Sequence, residues 1–380
     1  MRKRQLGKLL FGAGCVAVSA VLLVIACTRE KPPTHDEIAG APALKARAED
    51  LKQTVITPHL EQRIEPGKNI LWCSTFQLAW NELCTLAGED IHLQNEPPMV
   101  SILNKKTSTK NDLDYASYVA MAGVIGDDII ERIKTELEKK FQGQASPELL
   151  QEAEGLPPDY WVAYSYLFKA LPFRYAFAPF KKPLKFAGKD VSSFGIYGGM
   201  PENYQNVRDV LVEQVRILDF KNDDDFLIEL RTKIKEEQLI LAKIPAGGNL
   251  EEAINTVKNR MALENPDRRF TLDQFQAPSL NFDVLREYSE LYESPIVSGN
   301  TSLDGMPIIK ALQSIRFVLN RTGAVLKSEA IAACGEEAAP RYVNCIFDKP
   351  FLILLQRKDA KNLYFALWVD NAELLVPFAK

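Results

Sequence analysis

The chain has 380 residues, of which 46% are hydrophobic, 25% charged and 9% aromatic. This composition is typical of a folded globular protein with a sizeable core, and it excludes wholesale disorder. Lysine and arginine number 46 against 50 acidic residues, and the mildly acidic body argues against nucleic acid as the main partner. The only histidines are His35, His59 and His92, which are too few for most histidine-containing catalytic triads or multi-histidine metal sites. We therefore expect no enzyme, no cofactor and no metal.

Residues 1–26 have the form of an export signal, with four basic residues and no acidic one before or within the apolar run Leu9–Ala26. The run ends Val24-Ile25-Ala26-Cys27, which resembles the lipobox of bacterial lipoproteins, where the signal is cleaved and the cysteine is lipidated. The alternative is an uncleaved anchor helix, for which 18 residues is short. Both interpretations give an exported, membrane-tethered protein at the periplasm, outer membrane or cell surface.

The predicted organisation is a signal peptide over 1–26, a polar tether over 27–42 and one folded domain over 43–380. Without the signal, 42 basic residues face 50 acidic ones, so the remainder carries a net charge of −8. Beyond Cys27, four cysteines remain, and neither close pair has the spacing of a C-x-x-C motif. We expect Cys73 and Cys84 to be buried free thiols. For Cys334 and Cys345, a disulfide and two free thiols both stay open.

Elements taken in chain order indicate an α+β protein, with helices first and then strands with a few helices between. The predicted helices are 43–53, Ser74–Leu86, Asp112–Phe141, 147–154, Asn249–Arg260 and Asp283–Tyr292. The predicted strands are Asn69–Trp72, Trp161–Lys169, Leu184–Ile196, Leu211–Phe220, Phe226–Thr232, Gln238–Ile244, Phe270–Phe275, Ile315–Asn320, Phe351–Leu355 and Leu363–Val369.

The last two strands are continuous apolar runs separated by a polar turn over 356–362. A strand that is apolar on both faces is buried on both faces. The chain is therefore predicted to close with a hairpin in the middle of the structure.

These closing residues resemble the serpins, the serine-protease-inhibitor superfamily. The run Phe347-Asp348-Lys349-Pro350-Phe351 resembles the serpin signature, and Leu363–Leu367 resembles the family's final strand. Weaker likenesses follow in the same order along residues 65–375, at Asn69–Ser74, Tyr166–Lys169, Phe177, Gln214–Phe220, Leu239–Leu241 with Pro245, and Asn249–Glu252. The resemblance implies a large central mixed sheet, a second sheet holding the C-terminal hairpin, an N-terminal helical region and an exposed reactive loop.

One departure concerns the Asn, Ser and His that meet under the central sheet of the family. The matching positions here are Tyr164, Cys73 and Phe317, so we expect that polar cluster to be absent.

The resemblance implies that residues 327–342 form the reactive loop, which a target protease cleaves and which then inserts into the central sheet. Its hinge would be Ser328-Glu329-Ala330, followed by Ala332 and Ala333, and the scissile bond would join Arg341 to Tyr342. In this register Ala330, Ala332, Cys334, Glu336 and Ala338 face inward. All of them are small except Glu336, whose carboxylate would be costly to bury. Counting back from Pro350 instead puts the bond after Ala339, and a rival hinge at Gly323 turns Leu326 inward.

The predicted function is inhibition of a serine protease, trypsin-like or elastase-like, with a cysteine protease as the alternative target. The inhibitor would be a monomer that touches the membrane through its N-terminal lipid. A cation at Arg341 would suit a trypsin-like pocket. Since fold alone does not settle function, a non-inhibitory binding or envelope lipoprotein stays open as the alternative. A Cys334–Cys345 bond would favour that alternative, because it would lock the loop.

Overall fold

The computed structural model describes residues 43–142, 155, 157–263, 270–292, 294–300, 303–322 and 341–379. The chain divides into two compact units, Met1–Pro33 and Thr34–Lys380, and every described residue belongs to the second. The predicted signal peptide and tether, and loop residues 323–340, therefore lie outside the described part. Among the described residues, no helix is long and apolar enough to cross a bilayer.

The described residues combine helices and strands, as the α+β prediction requires. The α-helices are α1 (Thr75–Ala87), α2 (Pro98–Leu103), α3 (Ile129–Phe141), α4 (Glu202–Gln205), α5 (Arg208–Glu213) and α6 (Leu250–Ala262). The strands are β1 (Leu44–Arg47), β2 (Thr54–Thr57), β3 (Asn69–Cys73), β4 (His92–Leu93), β5 (Tyr118–Val124), β6 (Trp161–Ala170), β7 (Ala178–Pro179), β8 (Leu184–Phe186), β9 (Lys189–Val191), β10 (Ser193–Ile196), β11 (Val215–Asn222), β12 (Asp225–Leu230), β13 (Glu237–Lys243), β14 (Phe270–Pro278), β15 (Leu280–Glu287), β16 (Ile296–Val297), β17 (Ile308–Leu319), β18 (Arg341–Ile346), β19 (Phe351–Arg357) and β20 (Leu363–Val369).

A five-stranded mixed sheet, here the central sheet, has the order β1-β15-β17-β6-β5. Its two longest strands, β17 and β6, lie side by side and parallel, while β15 and β5 run antiparallel to them on either side. This is the large mixed sheet that the sequence predicts.

A seven-stranded sheet, here the hairpin sheet, has the order β11-β12-β13-β19-β20-β3-β2. The closing hairpin β19–β20 lies between β13 and β3, and every residue of β20 is buried. The prediction of a closing hairpin in the middle of the structure is confirmed. The remaining strands form a four-stranded sheet, β18-β14-β10-β7, and the small pairs β16-β4 and β8-β9.

The central and hairpin sheets pack face to face, which explains why the closing strands are apolar throughout. Ile353 and Leu367 point into the core between the sheets, where Phe317 of the central sheet stacks on Phe365 with ring centroids 4.7 Å apart. Their neighbours Leu352 and Trp368 point the other way, into a second core beneath α6. A third core lies on the outer face of the central sheet, beneath α3.

Three predicted helices are wrong, because strand pairing overrides local composition. Residues 44–47 pair with β15 as a strand, although their alanine and lysine favour a helix. Tyr118–Val124 pairs with β6, and helix α3 begins only at Ile129, after Gly123 and Gly126. Leu280–Glu287 alternates inward and outward as β15, and a short 3-10 turn at Ser289–Leu291 replaces the rest of that helix.

Two predicted strands are also divided. The stretch 184–196 breaks at Ala187 and Gly188, which both have positive φ, as a tight hairpin turn requires. The stretch 211–220 begins with the end of α5 and becomes a strand only at Val215. The predicted helix 147–154 lies outside the described residues.

Candidate functional site

The central sheet has two boundaries between parallel strands, β1–β15 and β6–β17, and only the second involves β17, from whose end the connecting segment leaves. We call the boundary between β6 and β17 the seam; it runs from Trp161 opposite Ile308 to Ala170 opposite Val318. A strand placed there antiparallel to both would replace one parallel ladder with two antiparallel ladders. The chain leaves β17 through residues 320–322 and re-enters the described part at β18. A segment that turned back from the end of β17 would run in this antiparallel direction.

A buried polar network lies under the seam, on the face that packs against the hairpin sheet. The Gln313 amide nitrogen of β17 donates hydrogen bonds to the Cys73 carbonyl oxygen, at 3.1 Å, and to Thr75 Oγ1, at 3.0 Å. The Tyr288 hydroxyl donates to Gln313 Oε1 at 2.7 Å. These bonds join the seam to the end of β3 and the first turn of α1.

The expected absence of the Asn, Ser and His cluster holds at the three matching positions, and other residues form a polar network under the seam instead. Cys73 does take part, but through its backbone carbonyl and its 3.3 Å contact with Thr75 Oγ1, and burial raises the pKa of its thiol to about 11. Tyr164 points to the opposite face of the sheet, and Phe317 belongs to the apolar core. The signal that could have found the network is Gln313 itself, a lone polar residue in the inward alternation of β17.

Three consecutive residues of β6, beside the seam, carry buried hydroxyls without hydrogen bonds. These are Tyr164 and Tyr166, on the face beneath α3, and Ser165, on the opposite face. Burial raises the pKa of both tyrosines. Among the described residues none of the three hydroxyls has a partner, and an unsatisfied buried polar group costs about 1–3 kcal/mol. The closed seam therefore contains groups that a different arrangement of the sheet could stabilise.

The carboxyl end of β6 is tied to the hairpin sheet by a buried ion pair. Lys169 Nζ lies 2.5 Å from Glu237 Oε1 at the start of β13, and both side chains are at most 4% exposed. The Tyr364 hydroxyl of β20 donates to the other carboxylate oxygen at 2.6 Å. Both oxygens of this buried carboxylate are therefore paired, which buried charges require.

The predicted reactive bond lies in the described part, at the start of β18. This strand is the edge of the four-stranded sheet, where Arg341 stands opposite Phe270 and Tyr342 opposite Thr271. Both side chains are exposed, Tyr342 to 65%, and the Arg341 guanidinium lies 5.8 Å from the Phe270 ring centroid. Only the first two residues of an edge strand would have to separate from β14 for a protease to reach this bond.

The other predicted site residues are mostly outside the described part, namely Cys27, Ser328, Glu329, Ala330, Ala332, Ala333, Cys334 and Ala339. Cys345 is a buried free thiol in β18, and burial raises its pKa to about 12. Of the two alternatives left open for Cys345, the structure therefore has the free thiol and not a disulfide. Cys73 and Cys84 are buried free thiols, as predicted.

Comparison with known proteins gives a likeness at the level of fold. No family model and no curated protein matches the sequence. The chain is similar to Serpin48, a highly specific serpin of the insect Tenebrio molitor, with 13% identity and a TM-score of 0.43, covering 81% of this chain and 92% of that one. It is similar to uncleaved ovalbumin, with 11% identity and a TM-score of 0.48, covering 80% of this chain and 93% of that one. It is also similar to native protease nexin-1 with heparin, with 12% identity and a TM-score of 0.46, covering 80% of this chain and 93% of that one.

The network under the seam gives a stability prediction. Replacing Gln313 with leucine leaves the Tyr288 hydroxyl and the Cys73 carbonyl without partners, so the free energy of unfolding should fall by about 2–4 kcal/mol. Adding Tyr288→Phe should recover part of that loss, because it removes the hydroxyl that Gln313→Leu leaves without a partner. Urea unfolding of the single and double variants measures both effects, with Ile315→Val as the control for packing. A loss for Gln313→Leu no larger than that of the control would contradict the role of the network.

Proposed function

We propose that this protein is a serpin-type protease inhibitor that traps its target by inserting residues 323–340 into the seam. The observation that carries the proposal is the parallel pairing of β6 and β17, with the connecting segment leaving from the end of β17. The unsatisfied hydroxyls of β6 support it, since they give the closed sheet a reason to be metastable.

The chemistry belongs to the target protease. Its nucleophilic oxygen attacks the carbonyl carbon of Arg341, the peptide bond to Tyr342 breaks, and the released amine takes a proton. The protease is then joined to Arg341 as an ester. Insertion of residues 323–340 would carry the ester away and distort the protease before water hydrolyses the bond. The inserted state lies lower in free energy, and the uncleaved form is trapped kinetically.

An inward-facing hinge residue should separate inhibition from simple cleavage. In the preferred register Ala332 enters the sheet and Ala333 points away from it, so Ala332→Arg should block insertion and Ala333→Arg should not. With trypsin, the wild type and Ala333→Arg should form an SDS-stable complex, and Ala332→Arg should be cleaved without one. The cleaved wild type should also gain about 10 °C or more in melting temperature, because several kcal/mol of pairing is added.

Mass spectrometry of the released C-terminal fragment identifies the bond. A fragment that begins at Tyr342 supports Arg341 as the scissile residue, and one that begins at Pro340 supports Ala339. Arg341→Ala should abolish the complex with trypsin, whose pocket takes a basic residue. A bond after Ala339 would instead need an elastase-like protease, and this variant should leave that complex intact. Rapid turnover of the wild type, with no complex and no gain in thermal stability, would overturn the inhibitor proposal.

The N-terminal sequence supports a lipid tether at Cys27 on the envelope of the producing cell. In a bacterial host, radiolabelled palmitate should be incorporated into the wild-type chain and not into Cys27→Ser. Cys73→Ser serves as the control, because that buried thiol lies in the folded domain. Labelling of both variants to the same extent would contradict lipidation at Cys27.

A second candidate function, a non-inhibitory ligand carrier, is favoured by a cavity of about 230 Å³ beside α6. Apolar side chains of Leu60, Trp72 and Ile254 line it, and Lys258 adds a cation whose pKa is lowered by burial. Among the described residues Lys258 has no ion pair. Such a lining suits an amphipathic anion.

This cavity also contains His59, whose Nδ1 lies 3.4 Å from Glu61 without a hydrogen bond. Burial lowers the pKa of His59, so the ring is neutral at pH 7 and gains its charge only as the pH falls below its ordinary range. Anilinonaphthalene sulfonate should bind one-to-one and more tightly at pH 5 than at pH 7. Lys258→Gln should weaken binding about fivefold, roughly 1 kcal/mol, whereas the distant Lys181→Gln should not. Equal affinities of Lys258→Gln and Lys181→Gln for the dye would contradict the carrier proposal.

A further inference from the structure

Strand β5 is an outer strand of the central sheet, and part of its free edge faces a cavity. The Lys140 ammonium of α3 donates to the Tyr118 carbonyl oxygen at 2.8 Å, so this carbonyl points away from β6. Because the β5–β6 register contains no bulge, the backbone groups of Ala120, two residues on, also point away from β6. Within the described part of the chain, the Ala120 N–H and C=O have no hydrogen-bond partner.

The cavity along this edge lies where a further strand of the central sheet would pair with β5. It measures about 530 Å³ and runs along Val119, Ala120 and Met121. Glu82 of α1 lines one side and Arg132 of α3 lines the other. Because α1 packs on the inner face of the central sheet and α3 on its outer face, the cavity continues the sheet between two helices. We call it the edge slot.

The charges around the edge slot favour an acidic occupant. The three lining carboxylates are all paired, Glu82 with Lys110 at 2.6 Å, Glu131 with Lys134 at 2.9 Å and Glu136 with Lys139 at 3.1 Å. Arg132 has no ion pair among the described residues, and Lys140 donates to carbonyl oxygens. The lining cations are therefore less neutralised than the lining carboxylates.

An aromatic side chain marks one end of the slot. Tyr115 is 64% exposed, and its ring lies under the Lys140 ammonium at 3.5 Å. Exposed aromatic residues at the rim of a binding surface commonly anchor a partner.

We propose that the edge slot binds an extended, acidic peptide segment of a partner protein, which adds to the central sheet as a strand beside β5. The peptide backbone exchanges hydrogen bonds with the N–H and C=O of Ala120, and its carboxylates face Arg132. This mode of binding gives affinity through the main chain and specificity through alternate side chains. It is independent of the seam and of protease inhibition.

The test uses a fluorescein-labelled hexapeptide, VEVEVE, and measures its binding to the full folded domain by fluorescence anisotropy. The same peptide with alternate backbone nitrogens methylated should bind at least tenfold more weakly, and so should VKVKVK. Arg132→Glu should weaken VEVEVE binding at least fivefold, whereas Lys189→Glu, on the distant strand β9, should leave it unchanged. Equal affinities for the methylated and unmethylated peptides would overturn the proposal.

A backbone variant tests the contact atom itself. Ala120→Pro removes an N–H that takes no part in the β5–β6 ladder, so an edge strand should tolerate it, and VEVEVE binding should be lost. Amide hydrogen exchange of the wild type provides a second readout that does not depend on the folding of this variant. The Ala120 amide should exchange at least tenfold more slowly when the peptide is bound. An unchanged exchange rate at saturating peptide would refute strand addition.

Discussion

The parallel ladder between β6 and β17 is the interaction on which the rest of the structure depends. It holds together the two longest strands of the central sheet and divides that sheet into two parts, β1-β15-β17 and β6-β5. On its inner face Gln313 fixes the ladder to α1 and to the hairpin sheet. Its outer face is covered by α3, above tyrosine hydroxyls that have no partner in the part of the chain that the structure describes. The seam, where the proposed insertion takes place, therefore has hydrogen bonds to the neighbouring layer on one face and unsatisfied hydroxyls on the other.

The parts of the fold that the sequence predicts well are those in which burial alone determines the pattern. The runs 351–355 and 363–369 are apolar at every position, and only a strand covered on both faces needs such a pattern, so their place inside the hairpin sheet could be predicted. Residues 280–287 were harder to assign. Their buried positions Leu280, Phe282 and Val284 alternate with a mixture of polar, charged and apolar residues, and so short a mixed stretch also fits one face of a helix. Pairing with β17, a distant segment, decides between the two.

The candidate site shows the same division. The order and direction of β6 and β17 depend on long-range pairing, and no local pattern in the sequence indicates which strands are neighbours. Gln313 and Tyr288 are not among the residues that the family resemblance selects, although Gln313 contacts one of them, Cys73. The resemblance therefore does not indicate the network, even though a polar residue in a buried strand is visible in the sequence. Unsatisfied hydroxyls cannot be predicted from the sequence at all, because they depend on what the surrounding structure fails to provide. The placement of Arg341 at a strand edge follows from its pairing with β14.

The buried pair of Lys169 and Glu237 has a mechanical consequence for the central sheet. It fastens the end of β6 to the hairpin sheet, while Gln313 fastens β17 to the end of β3 in the same sheet. The two strands that border the seam are therefore each anchored to one common layer. Moving them apart while that layer stays fixed would require at least one of these two buried polar attachments to break.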